Sequence, residues 1–219
     1  YSTGSGTVSL TAATSVILGA VTTTSSTIGI TATAGSITET TAAETANITS
    51  SGTVTLTAAT GIGASGAGDL ETAIGTLVAT NSTSGDIVIA ESNGLIVSSA
   101  TTSAGNGNID INTAAGAFTV SGAITAHGAG DVTLLATGGL LTINAAVTST
   151  TGDLSLTGGT GVTHNASGNL TTTGVGTITV AASTGNITMA DGTVYSTGSG
   201  TVSLTAATSV ILGAVTTTS

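Results

Sequence analysis

The sequence predicts an all-β fold, a right-handed parallel β-solenoid with about three short strands per coil, and three observations lead there. The segment YSTGSGTVSLTAATSVILGAVTTTS fills residues 1–25 and returns unchanged at residues 195–219, an offset of 194. Within that offset a short strand motif recurs at intervals of 20 to 33 residues, the range in which solenoids repeat. Thr, Ser, Val, Ile, Ala and Gly dominate while Lys and Arg are absent, which favours strands over helices. Residues 1–194 thus read as one complete unit, and residues 195–219 as the first coil of the next identical one in a longer tandem array.

The motif is Gly or Ser, a polar residue, then aliphatic–x–aliphatic. It starts at Gly6, Ser26, Gly52, Gly85, Gly107, Gly130, Gly152, Gly176 and Gly200, which makes eight coils per 194-residue unit. Alternation in GDVTL sends Val132 and Leu134 to one face, Asp131 and Thr133 to the other. Stacked coils then bury one ladder of Val8, Ile28, Val54, Ile87, Ile109, Val132, Leu154 and Ile178. A second holds Leu10, Ile30, Leu56, Ile89, Ile111, Leu134, Leu156 and Val180. In the fifth coil the alternating runs are 108–111, 117–120 and 123–125; in the sixth, 131–134, 140–143 and 145–148. Gly94, Gly116, Gly138, Gly139, Gly158, Gly159 and Gly185 fall at the joins, where corners needing φ > 0 are expected. The missing Pro fits, since each one would delete a ladder hydrogen bond.

Two places break the pattern. The third coil is 33 residues long, with the excess in residues 61–84, and a loop or short helix over 69–77 with Asp69 as N-cap is expected to project there. A smaller bulge is expected at residues 39–46.

Ten acidic residues against no Lys or Arg give a formal net charge of −10, so phosphate backbones and anionic lipid surfaces find no footprint. No run approaches the roughly 18 apolar residues of a spanning helix. With no Cys there are no disulfides or thiolate sites. No GxSxG, HExxH or P-loop is present, and a chain without Lys or Arg lacks the cations that polysaccharide lyases use, so no enzyme is expected.

Asp86, Asn108, Asp131 and Asp153 hold the same position in four successive coils. Stacked ~4.8 Å apart, like charges repel unless a cation lies between them, and oxygen-only ligands suit Ca²⁺. Asp86, Asp131 and Asp153 are therefore candidate Ca²⁺ ligands, with Asp110 placed to join them; the plainer reading is a solvated acidic stripe that caps strand starts. No GGxGxDxU calcium-roll pattern occurs, and no other cofactor is implied. His127 and His164 lack partners at diagnostic spacings and read as turn or surface residues. Thr pairs at 31/33, 53/55, 171/173 and 177/179 occur in too few coils for a paired ice-binding lattice. The N-x-[ST] matches at Asn47, Asn81, Asn165, Asn169 and Asn186 are chance-level in such a composition.

The G-[DNT]-[VIL]-x-[LIV] strands with Thr/Ala/Gly-rich corners resemble the filamentous-haemagglutinin type of right-handed parallel β-helix, found in giant exported bacterial adhesins. That resemblance implies export, display at the cell surface and an adhesive or spacer role. The absence of Lys and Arg and the unchanged long repeat depart from it, towards a structural filament. The expected function is a structural repeat of an extracellular filament, stalk or adhesin shaft whose main partner is itself, stacked end to end. A cation- or glycan-binding adhesive module is the alternative.

Overall fold

The computed structural model describes residues 1–40 and 44–218. Among these residues no helix occurs, and the strands stack in parallel into a β-solenoid of about nine coils. β-Branched Val, Ile and Thr fill the strands because their side chains fit a half-buried pleated surface.

From residue 109 on, every coil has three faces. Face one is built by Ile109–Thr113, Val132–Ala136, Leu154–Gly158, Ile178–Ala182 and Val202–Ala206. Face two follows with Phe118–Val120, Leu140–Ile143, Gly161–His164, Ile187–Met189 and Val210–Ile211. Face three closes each coil with Ile124–Ala126, Val147–Ser149, Leu170–Thr171, Val194–Thr197 and Ala214–Thr217. The alternating runs expected in the fifth and sixth coils are these strands to within about two residues. Inward positions form one continuous apolar core.

All sixteen residues of the two expected ladders point inward, with Leu10 only partly covered. Their stacking order differs from the expectation in the third coil. Val54 is followed by Leu77, then Val97 and Val120. Ile87 is preceded instead by Ile62, Ile37 and Val16. The motif strands before residue 60 therefore lie on different columns from those after residue 85.

The cause is the 33-residue interval. The helix or projection expected over residues 69–77 is not there; Leu70–Asn81 is a twelve-residue strand, the longest in the molecule's described part. It pairs on one side with Ile48–Ala58 and on the other with Ile87–Glu91 and Leu95–Thr102. Leu70, Ile74 and Leu77 bury in the core, and that burial outweighs any N-capping preference of Asp69. Within this interval residues 64–69 leave the stack, between Ile62 on Ile87 and Leu70 on Ile89. The bulge expected at 39–46 falls partly outside the described residues, at 41–43; the strand Ile37–Glu39 precedes it and stacking resumes at Ile48.

This insertion moves everything after it round by one face. Val202, the copy of Val8, stands in the column of Val16; Val210, the copy of Val16, stands on face two; Val215, the copy of Val21, stands on face three. The eight coils expected per unit are present, and the unit carries one face more.

Of the corner glycines, only Gly116 has the expected positive φ, at 75°. Gly139, Gly158, Gly159 and Gly185 are required for another reason: a Cβ there would lie 1.6–2.1 Å from a backbone carbonyl oxygen. At Gly139, Gly159 and Gly185 the oxygen belongs to the preceding coil, packed at strand spacing; at Gly158 it is Gly161 O of the same tight corner.

Candidate functional site

The motif position occupied by Asp86, Asn108, Asp131 and Asp153 forms a single column at the entrance to face one. Oδ1 of Asp86 accepts the backbone N–H of Asn108 at 2.8 Å, and Oδ1 of Asn108 accepts that of Asp131 at 2.8 Å. Asp131 does the same for Asp153 at 2.8 Å, and Asp153 for Thr177 at 2.7 Å. Each side chain thus satisfies the first N–H of the next coil, which has no ladder partner of its own. An amide serves in this role as well as a carboxylate, as Asn108 shows. These residues are partly or fully exposed.

Asp110 stands two residues beyond Asn108, on the same outward side by alternation. It lies opposite Val88 and Thr133 on the outer side of face one and lines a cleft of about 480 Å³ with Glu44, Ser65, Gly66 and Asp69. Three carboxylates converge beside this cleft: ligand oxygens of Glu44, Asp69 and Glu71 all lie within 4.8 Å of one another. Asp69 and Glu71 flank the inward Leu70, so strand alternation puts both on the outer side of the same strand. Residues 63–69 deliver Asp69 by folding back on themselves, with the N–H of Ala64 donating to Gly68 O at 2.7 Å and that of Asp69 to Gly66 O at 3.2 Å. Gly63 makes this possible, with φ of 67° and no space for a Cβ beside Val88 O. Asn47 fixes the other edge: its Oδ1 accepts the Glu71 N–H at 3.1 Å and its Nδ2 donates to Glu39 Oε2 at 3.4 Å.

The electrostatics of this patch are unusual for a chain without Lys or Arg. Glu71 is only 7% exposed, and both of its carboxylate oxygens are buried with no hydrogen-bond partner among the described residues. The same holds for Oδ1 of Asp69 and Oε1 of Glu39. Burial pushes the Glu71 carboxyl up to about 7, and the neighbouring Glu39 charge adds to the rise. Burial also raises Asp110, with Asp69 contributing. Glu91, in the next coil, is raised by burial as well, but it is well satisfied: Thr72 Oγ1 donates to it at 2.7 Å, and the N–H groups of Ile74 and Asn93 at 3.0 Å each. No sequence motif announces the cluster. The signal available was the placement of Glu39, Glu44, Asp69 and Glu71 at the two irregular intervals.

His164 overturns the expectation of a surface residue. It is 1% exposed and stands in the column of Val97, Val120 and Ile143. Its Nδ1 pairs with Gly168 O at 2.7 Å and its Nε2 with the Tyr195 hydroxyl at 2.7 Å. A neutral ring satisfies both contacts, donating from Nδ1 and accepting at Nε2. Burial holds the imidazole down at about 4 and raises the Tyr195 phenol. His127 is exposed at a corner, as expected, with Nδ1 3.0 Å from Gly105 O. Of the five N-x-[ST] asparagines, Asn47 and Asn81 are buried.

No known protein family, curated protein or solved structure matches this chain.

Proposed function

We propose that the chain is a structural repeat of a long filament, stalk or adhesin shaft displayed outside the cell, of the filamentous-haemagglutinin-like kind, which associates with itself by axial β-stacking. One observation carries this reading. Tyr1 and Tyr195 are the same residue of the repeat; Tyr1 is 72% exposed, while Tyr195 is 0% exposed and bonded to His164. The strand Val194–Thr197 runs across the junction between the two copies without interruption. One unit thus supplies the pocket that the first residue of the next unit fills, as a continuous shaft requires. The absence of Lys and Arg supports exposed life, since trypsin-like proteases find no cleavage site.

The test is electron microscopy and light scattering of the purified chain across concentration and salt. Rods that lengthen end to end with concentration, more readily as salt screens the net charge of −10, are expected. Single compact particles at every concentration and salt would overturn self-association. A second reading, a cation-binding module, is favoured by the buried carboxylates beside Glu71.

A further inference from the structure

We propose that the cleft over Asp69 and Glu71 binds one hard divalent cation, Ca²⁺ by preference, through the carboxylates of Glu44, Asp69 and Glu71, with Glu39 and Asp110 at its edge. This site is separate from the Asp86–Asp131–Asp153 column and does not depend on the shaft reading. The first argument is reach. Oxygens bound to one Ca²⁺ at roughly 2.4 Å are at most about 4.8 Å apart, and the three carboxylates meet that limit. The second is the state of Glu71: a carboxylate that is 7% exposed, with both oxygens buried and unpartnered, faces Asp69 and Glu44. Buried unpaired charge is costly unless a cation or a proton relieves it. The chain has no Lys or Arg to do so, and its two histidines are bonded elsewhere, His127 to Gly105 O and His164 to Gly168 O and Tyr195.

The third argument is construction. The donors come from separate segments: Glu44 precedes the strand Ile48–Ala58, and Asp69 ends the fold-back before the strand Leu70–Asn81. Asn47 orients the Glu71 backbone and touches Glu39. A cation bound here ties Glu44 and the fold-back before Leu70 to the shaft at the point where its columns change. Several carboxylates in one flexible oxygen cage suit Ca²⁺ better than Mg²⁺, which keeps most of its waters. A proton shared between two carboxylates is the competing way to relieve the repulsion, so the measurement belongs at pH 8.

The experiment is calorimetric titration of the chelator-stripped full chain with CaCl₂ and, separately, MgCl₂, together with thermal melts. One Ca²⁺ per chain is expected, with Mg²⁺ at least about tenfold weaker. The melting temperature should rise about 5–10 °C when Ca²⁺ is a hundredfold above Kd. The Asp69→Asn/Glu71→Gln double variant should lose binding by about a hundredfold or more, and Glu44→Gln, on an exposed residue, by about tenfold. The Asp131→Asn/Asp153→Asn variant should bind as the parent does. If the double variant fails to fold, Glu44→Gln decides. The proposal is overturned if the parent chain takes up no Ca²⁺ at millimolar concentrations, if binding is unchanged in the cluster variants, or if it is lost in the Asp131/Asp153 variant instead.

Discussion

Tyr195 and Tyr1 are copies of one residue in different columns of the shaft, and the polar pair that Tyr195 makes with His164 sets a pH limit on it. The imidazole is held down at about 4 in the fold, against 6.5 for a free histidine. A depressed histidine favours the native state fully above pH 6.5; that advantage is lost as pH falls towards 4, because only the unfolded chain takes up the proton in that window. The loss amounts to about 3 kcal/mol. Denaturant titrations at pH 7.5 and pH 4.5 isolate it when the parent chain is compared with His164→Leu, because the raised Glu71 carboxyl, which favours the fold as pH falls through the same window, is common to both. Tyr195→Phe leaves Nε2 buried and unpaired and should cost about 1–3 kcal/mol. The column at Asp131 makes the opposite kind of prediction. Asp131→Asn should be close to neutral, because Asn108 already does that work, while Asp131→Ala strands the Asp153 N–H and should cost about 1 kcal/mol by the same denaturant assay. That column was readable from the motif spacing. The burial of His164 was signalled too, by its alternation with Val162, but a lone histidine carries a surface prior that only the structure corrects.

At the scale of elements, spacing disclosed the strands and misled at the one place where spacing changed. The interval of 33 residues reads as a coil plus a projection, because a count of motifs cannot see that Leu70, Ile74 and Leu77 stack as another layer. Hydrogen exchange separates the two: amides of Leu70–Asn81 should be protected as strongly as those of Ile109–Thr113, with residues 65–68 exchanging fast. The corner glycines give a second check. Gly139→Ala puts a methyl group 1.6 Å from Gly116 O and should cost at least about 2–3 kcal/mol. Gly29→Ala, in the strand Ile28–Ala32 with nothing within 4 Å of its Cβ, should be neutral or gain up to ~1 kcal/mol in denaturant unfolding. The outer surface holds one feature that pair-counting missed. Thr11, Thr31, Thr57, Thr80, Thr101, Thr125, Thr148, Thr171, Ser196 and Thr216 stand in one register, coil after coil. The expected Thr pairs do not form a lattice; a single file of hydroxyls does.

Over the whole molecule, fold class and inward pattern were legible because alternation and composition act at every coil, and each coil repeats the message. The carboxylate cluster was not, since Glu39, Glu44, Asp69 and Glu71 come from different coils and meet only once those coils stack. The advance of eight coils and one face also emerges only from the register. Its consequence is geometric: in a tandem array each 194-residue unit turns its fold-back before Leu70 about one face further round the shaft. The measurement that tests this account most directly is cryo-electron microscopy of filaments carrying the tandem repeat. The account predicts layers ~4.8 Å apart and fold-backs recurring every ~40 Å along the axis. It also predicts that successive fold-backs step round the shaft by about one face. Globular beads without that layer spacing would contradict the shaft, and fold-backs aligned along a single side would contradict the register on which it rests.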